Sequence, residues 1–281
     1  MSEITYETVR YERASERVVR IVLNRPDKRN AQNSTLLYEL DDALQQATLD
    51  DSVGVIIIGA EGPDFSSGHD LKEPFTVHED GPRSCCGGFD APGIEGWWAT
   101  EREVFVGLCE RWRNIPKPTI AEVHGRVIAG GLMLVWPCDL IVASDDTVFS
   151  DPVVAFGVNG VEYFRHPFEM GSRRAKEMLF TGGNLSAQDA YMLGMVNRVV
   201  PRAELEATTL ALAETIALRP SMGLKLAKQA VNQSEDRQGI TDAMWSAFAL
   251  HQLGHANNLH IHGSLVDPTA ASKIRDANKR S

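Results

Sequence analysis

The sequence predicts an α/β fold, on three observations. Short runs rich in Val and Ile alternate with longer segments whose apolar residues recur every three or four positions. Gly, Pro, Asn and Asp cluster between the two kinds of segment, where turns are needed. From Ser172 onward the β-type runs fade and amphipathic helical periodicity takes over. Alternating strands and helices point to parallel pairing, because an intervening helix returns the chain to the same end of a sheet.

Val18-Val19-Arg20-Ile21-Val22-Leu23 is β-rich and stops at Asn24-Arg25-Pro26-Asp27, which is turn chemistry. Asn33 and Ser34 can cap a helix in which Leu36, Leu37, Leu40, Leu44 and Ala47 keep a helical period. Val53–Ile58 is apolar without alternation, the pattern of a strand buried on both faces. Between Lys72 and Trp98 the periodicity breaks: Gly81, Gly87, Gly88, Gly93 and Gly96 mix with Pro74, Pro82 and Pro92, which predicts a long lid or binding loop. At least one of Trp97 and Trp98 is expected to anchor that loop on the core. Phe105, Leu108, Cys109 and Trp112 then mark a helix that ends before Pro116. Ile120–Val123 and Leu140–Ala143 read as two buried strands flanking a glycine turn and a short helix, and Phe149–Val154 as a further strand. Ser172 opens a helix carrying Ala175, Met178 and Leu179. Ser186-Ala187-Gln188-Asp189 resembles a capping box, and Gly194 closes the helix that it starts. Ala203–Leu218, Ser221–Asn232 and Ile240–Leu253 follow as amphipathic helices. The expected organisation is a core over residues 1–197 and a helical region over 198–281, with a loose basic tail after Asp267.

With 281 residues, 43% of them hydrophobic, the chain can bury a full core. Its formal charge of −10 argues against nucleic acid as a partner, since phosphate binding needs clustered cations. No apolar run approaches the length of a membrane span, and Met1-Ser2-Glu3-Ile4 does not begin a signal peptide. Cys85, Cys86, Cys109 and Cys138 have neither metal-ligand nor disulfide spacing and are expected as reduced thiols. A soluble, cytoplasmic protein with no membrane partner is the expectation.

Two glycine-bearing turns carry most of the chemistry. Phe65-Ser66-Ser67-Gly68-His69-Asp70-Leu71 follows the apolar strand at Val53–Ile58. His124-Gly125 leads into Ala129-Gly130-Gly131, ahead of Cys138-Asp139-Leu140. Backbone amides at a glycine turn that opens a helix point their N–H groups into a cavity, and two of them aimed at one oxygen stabilise developing negative charge. Glycine at Gly130 and Gly131 lets a bulky substrate approach the backbone.

In this order, with Asn24-Arg25-Pro26 and Asn30-Ala31 upstream and Gly194-Met195-Val196 downstream, the motifs resemble the crotonase (enoyl-CoA hydratase/isomerase) superfamily from about Val18 to about Pro201. The resemblance implies a spiral of ββα units, a C-terminal helical region used for assembly as a homotrimer or a dimer of trimers, and an acyl-CoA substrate with no separate cofactor. It implies an oxyanion hole made by the amides of His69 and Gly130. It also places Arg25, Lys28, Ala31 and the Ser66-Ser67-Gly68 region along the coenzyme A moiety.

Hydratases of that family carry glutamates three residues after the second-turn glycine and directly after the later proline. Here those positions hold Met133 and Val153, neither of which can carry a proton. Asp151 and Glu162 are the nearest candidates for proton transfer. Asp151 points at the cavity if its segment is extended, and otherwise serves as a turn or capping residue before Pro152. Glu162 follows the tight sequence Gly157-Val158-Asn159-Gly160; the alternative is a surface glutamate. The His69 ring is a third titratable group, with packing against Asp70 or solvent as its bland reading. His251 and His255 have i, i+4 spacing, but no cysteine or acidic cluster completes a metal set, so a surface or interface role and no metal are expected. The expected reaction is isomerase-like enolate chemistry on an acyl-CoA thioester. The alternatives are a hydratase with relocated carboxylates, a thioester or ring hydrolase, or an acyl-CoA-binding protein without turnover.

Overall fold

The computed structural model describes residues 5–73, 75–77 and 86–278. The expectations for Pro74, Gly81, Pro82 and Cys85 lie outside the described residues. Strand β1 (Val9–Ser15) pairs antiparallel with β2 (Val18–Leu23), and helix α1 (Ser34–Leu49) starts where the Asn33 side chain accepts the Leu36 N–H. After β3 (Val55–Ala60), the chain enters one long helix in three parts: α2 (Ile94–Glu101), a π-helical turn (Arg102–Gly107) and α3 (Leu108–Arg113). The middle of the chain supplies β4 (Thr119–Val123), β5 (Arg126–Ile128), α4 (Gly130–Val135), β6 (Leu140–Ser144) and β7 (Val148–Ser150). A 3-10 turn at Val153–Phe156 precedes α5 (His166–Met170) and α6 (Ser172–Thr181). Then come β8 (Asn184–Ser186), α7 (Ala187–Leu193), β9 (Arg198–Val200), α8 (Leu205–Ala217), α9 (Ser221–Arg237), α10 (Ile240–His262) and α11 (Ala270–Asn278).

The main sheet runs β1-β2-β3-β4-β6-β9, parallel throughout except for the β1 edge, and β5-β7-β8 form a second, smaller sheet. Burial on both faces explains the unbroken apolar runs. Ile56 and Ile58 of β3 face the larger core with α1, whereas Val55 and Ile57 face a second core made with Leu205, Ala213 and Ala217 of α8.

That second core draws on residues from both sides of the expected division at 197/198. Strand β9 begins at the boundary and belongs to the main sheet, and α8 covers the sheet's back face, so the start of the rear third is part of the core. The tail after Asp267 carries a further helix. Helix α11 occupies Ala270–Asn278, its start tied by the Asp267 carboxylate to the Thr269 N–H at 2.8 Å. The strand expected at Phe149–Val154 stops at Ser150, because Asp151-Pro152 turns the chain into the 3-10 segment. Trp98 packs on the larger core as the expected anchor, and α2 begins before it, at Ile94. Among the described residues, no helix is long and apolar enough to cross a membrane.

Candidate active site

The first glycine turn is stitched on both sides. Gln32 donates its N–H to the Gly68 carbonyl at 2.8 Å and receives the Asp70 N–H at 2.7 Å, while the Ile128 N–H reaches the Ser66 carbonyl at 3.0 Å. The second turn leaves β5 through Ala129, whose φ of 49° is a conformation alanine rarely holds; its N–H is fixed on the Ser150 carbonyl at 2.8 Å. The two turns touch. A methyl group added at Gly68, where φ is +91°, would lie 2.9 Å from the Ile128 oxygen and 3.2 Å from the Gly130 nitrogen. Among the described residues, neither the His69 nor the Gly130 N–H is donated to a protein acceptor.

Beside this pair sits a buried carboxylate. Glu162 Oε2 lies 3.2 Å from His69 Nε2, and the His69 ring stacks on Phe105 with centroids 4.1 Å apart. A carboxylate can only accept, so His69 carries a proton on Nε2. The ring also covers Gly130: a Cβ there would come within 2.7 Å of its Cε1 and Nδ1. The loop from Gly157 to Gly160 aims Glu162 inward and is anchored on α10, where Asn159 Nδ2 donates to the Ala247 carbonyl and His251 Nδ1 to the Gly160 carbonyl. Burial would raise the Glu162 pKa, but the His69 side chain and its hydrogen bond outweigh it and hold the carboxyl well below its usual range.

Behind Glu162 the network continues. His251 Nε2 lies 3.4 Å from Glu162 Oε1 and 3.9 Å from Glu101 Oε1, and His255 Nε2 lies 3.1 Å from the same Glu101 oxygen. The Gln252 side-chain amide donates to the other Glu101 oxygen. Glu101, His251 and His255 are all buried, which overturns the expected surface role of the two histidines. Glu101 was missed from the sequence. Its signal is an acidic residue four positions after Trp97 and four before Phe105, on a stripe that is otherwise apolar.

Asp151, the other expected acid or base, lies beside this loop with its carboxylate taken up by local partners. It is fully buried, accepts the Val153 and Val161 N–H groups at 3.0 Å each, and meets His166 Nε2 at 2.8 Å. It therefore shapes the turn that carries Glu162. Met133 lies buried on α4 and Val153 packs at the edge of the core.

Among the residues expected along coenzyme A, Lys28 and Ser67 are exposed, and the Ser67 N–H reaches the Arg29 carbonyl at 3.0 Å. Ala31 and Gly68 are buried. Ser66 is enclosed, with its hydroxyl donating to the Asn30 carbonyl, so its side chain offers nothing to a ligand. Arg25 is occupied by Asp70 and Glu73 at 3.3 and 3.0 Å. The Asp70 carboxylate in turn accepts the Lys72 N–H at 3.1 Å, which orders the first turn. A cavity of about 590 Å³ between α9 and the β6 end of the sheet shares no residue with this cluster.

A parallel α/β core whose two contacting glycine turns present a pair of undonated N–H groups beside a buried carboxylate has the architecture of the crotonase fold. The chain belongs to the enoyl-CoA hydratase/isomerase family of enzymes, whose model matches residues 13–263. It is 42% identical to a Mycobacterium tuberculosis protein named "Putative enoyl-CoA hydratase EchA13", over 98% of this chain and 92% of that relative. Among solved structures, a probable enoyl-CoA hydratase from Mycobacterium smegmatis is 47% identical with a TM-score of 0.84, covering 92% of this chain and 98% of that one. A probable enoyl-CoA hydratase from Mycobacterium thermoresistibile is also 47% identical, with a TM-score of 0.85 and coverage of 92% and 99%.

Proposed function

We propose that the protein acts on an acyl-CoA thioester through an enolate, with one carboxylate, Glu162, moving the proton. The observation that carries this reading is the juxtaposition of two undonated amides, at His69 and Gly130, with the His69–Glu162 pair at 3.2 Å. The amides hold the thioester oxygen as it gains charge. Glu162 takes a proton from the carbon beside the thioester and returns it two carbons along, so the double bond shifts and no atom is gained or lost. His69 Nε2–H steadies the carboxylate through this transfer.

Isomerisation is favoured over hydration because syn addition of water uses two proton-carrying groups at the site. Met133 and Val153 stand where the family's hydratases carry theirs. Lys28, Arg29 and Ser67 form an exposed strip beside the first turn that suits the phosphates and pantetheine of coenzyme A.

The test is to incubate the protein with 2-enoyl, 3-enoyl, 3-oxo and cyclic acyl-CoA thioesters and follow them by chromatography and mass spectrometry. A shifted retention time at constant mass is expected. A gain of water would make the protein a hydratase or ring hydrolase, free coenzyme A would make it a thioesterase, and tight binding without turnover would make it a binding protein.

Assembly as a homotrimer, or a dimer of trimers, is part of the same proposal. It is supported by exposed apolar side chains on two rear helices: Met222, Leu226 and Val231 on α9, and Leu250, Leu253 and Ile261 on α10. Light scattering on the eluting protein is expected to give three or six chain masses; a monomer would remove this part of the reading. The free thiols of Cys86, Cys109 and Cys138 support a reducing, cytoplasmic setting.

A further inference from the structure

We propose that Glu101, His251 and His255 form a binding site for one divalent first-row transition-metal ion, pinning α2 to α10 behind Glu162. The proposal does not depend on the reaction assigned above. One donor atom from each residue lies within 4.8 Å of the others, with Nε2–Oε1 separations of 3.1 and 3.9 Å to Glu101. Donors around one ion at bond lengths near 2.1 Å stand roughly 3–3.5 Å apart, so only a small adjustment closes the set.

The orientation of both rings is that of ligands. His251 Nδ1 donates to the Gly160 carbonyl at 2.8 Å and His255 Nδ1 to the Leu265 carbonyl at 2.6 Å. A carbonyl only accepts, so each ring carries a proton on Nδ1 and turns Nε2 toward the carboxylates; His255 Nε2 also bonds Glu101 Oε1 at 3.1 Å through a proton that a bound ion would displace. A backbone carbonyl on the far nitrogen is the usual partner of a metal-bound histidine. The second oxygen of Glu101 is likewise held, by Gln252.

His251 is the ring that a simple pairing of charges leaves unexplained. Glu101 and Glu162 bring two carboxylates into a buried space, and either two imidazolium rings or one divalent cation can balance them. An imidazolium at His251 would direct its Nε2–H at a carboxylate oxygen. Instead His251 Nε2 is buried and makes no hydrogen bond, although oxygens lie 3.4 and 3.9 Å away. Two imidazoles with a carboxylate suit zinc, cobalt, iron or manganese rather than calcium or magnesium.

The test uses the full chain purified without a histidine tag and dialysed against a chelator, then titrated with Co²⁺ and read by its visible absorption, with Zn²⁺ as competitor. The wild type is expected to take up about one equivalent per chain and to develop the bands of a low-symmetry, protein-bound cobalt ion. His255→Ala and Glu101→Gln should each weaken binding by more than about tenfold. A second readout needs no variant: in protein labelled with nitrogen-15 at histidine, Zn²⁺ should shift the ring signals of two of the eight histidines. A wild type that develops no bands and shows no shifted ring signals, or bands that survive in both variants, would overturn the site.

Discussion

Glu162→Gln is expected to lower kcat for acyl-CoA turnover by about 10²–10⁴ with little change in KM, the usual loss for a positioned acid or base. The amide oxygen of glutamine can still accept from His69 Nε2, so the stacking of His69 on Phe105 survives and only proton transfer is lost. Exchange of the substrate's α-proton with deuterated solvent, followed by NMR, reads the same step without assuming a product. Activity within tenfold of wild type would remove Glu162 from the chemistry. Asp151→Asn has a different expected signature. Its carboxylate accepts the Val153 and Val161 N–H groups, and an amide nitrogen facing either one leaves a buried donor unsatisfied, costing about 1–3 kcal/mol of stability. A denaturant midpoint unchanged in Asp151→Asn would contradict that positioning role.

Gly130→Ala is expected to cost about 10²–10³ in kcat, the equivalent of one lost oxyanion donor, or about 2.7–4 kcal/mol of transition-state stabilisation. The new methyl would sit 2.7 Å from the His69 ring and 3.0 Å from Gln32 Oε1, so the ring must leave both Phe105 and Glu162. One substitution thus disturbs the amide and the carboxylate together. Gly223→Ala is the matched control: nothing lies within 4 Å of its new methyl, in the first turn of α9. It should leave kcat unchanged and stability the same or higher by less than about 1 kcal/mol. Equal activity in the two alanine variants would refute the assignment of Gly130 to the hole.

The parts of the fold visible in the sequence are those governed by local periodicity. β2, β3, α1 and the Ser186 cap lie where apolar spacing and capping residues put them, because buried strands and amphipathic helices write their burial directly into residue order. β8 and β9 span three residues each and are held by partners distant in the chain, so no short window contains their signal. The same limit governs the site. The glycine turns could be read because glycine is itself the signal, whereas Glu101 joins His251 and His255 across about 150 positions of chain. Asp151 and Glu162 looked alike in sequence. Only the hydrogen-bond partners around each carboxylate separate the one that shapes the loop from the one that faces His69.

The π-helical turn at Arg102–Gly107 sets a rule for descent within the family. A wider turn absorbs one residue more than an α-helical path of the same reach, so Glu101 keeps the phase against α3 that an unbroken α-helix one residue shorter would give it. Deleting one residue there would restore α geometry and leave α2 and α3 in the same phase; deleting a second, with no wide turn left to absorb it, would rotate α2 by about 100° against α3. α3 stays fixed, since Trp112 Nε1 donates to Asp41 Oδ1 at 3.0 Å, and that rotation would fall on Glu101, carrying it away from His255. A relative one residue shorter in this stretch can keep the cluster, whereas one two residues shorter would lose it even with every one of its glutamates and histidines in place. Inheritance of the buried network is therefore a matter of chain length at one helical turn as much as of residue identity.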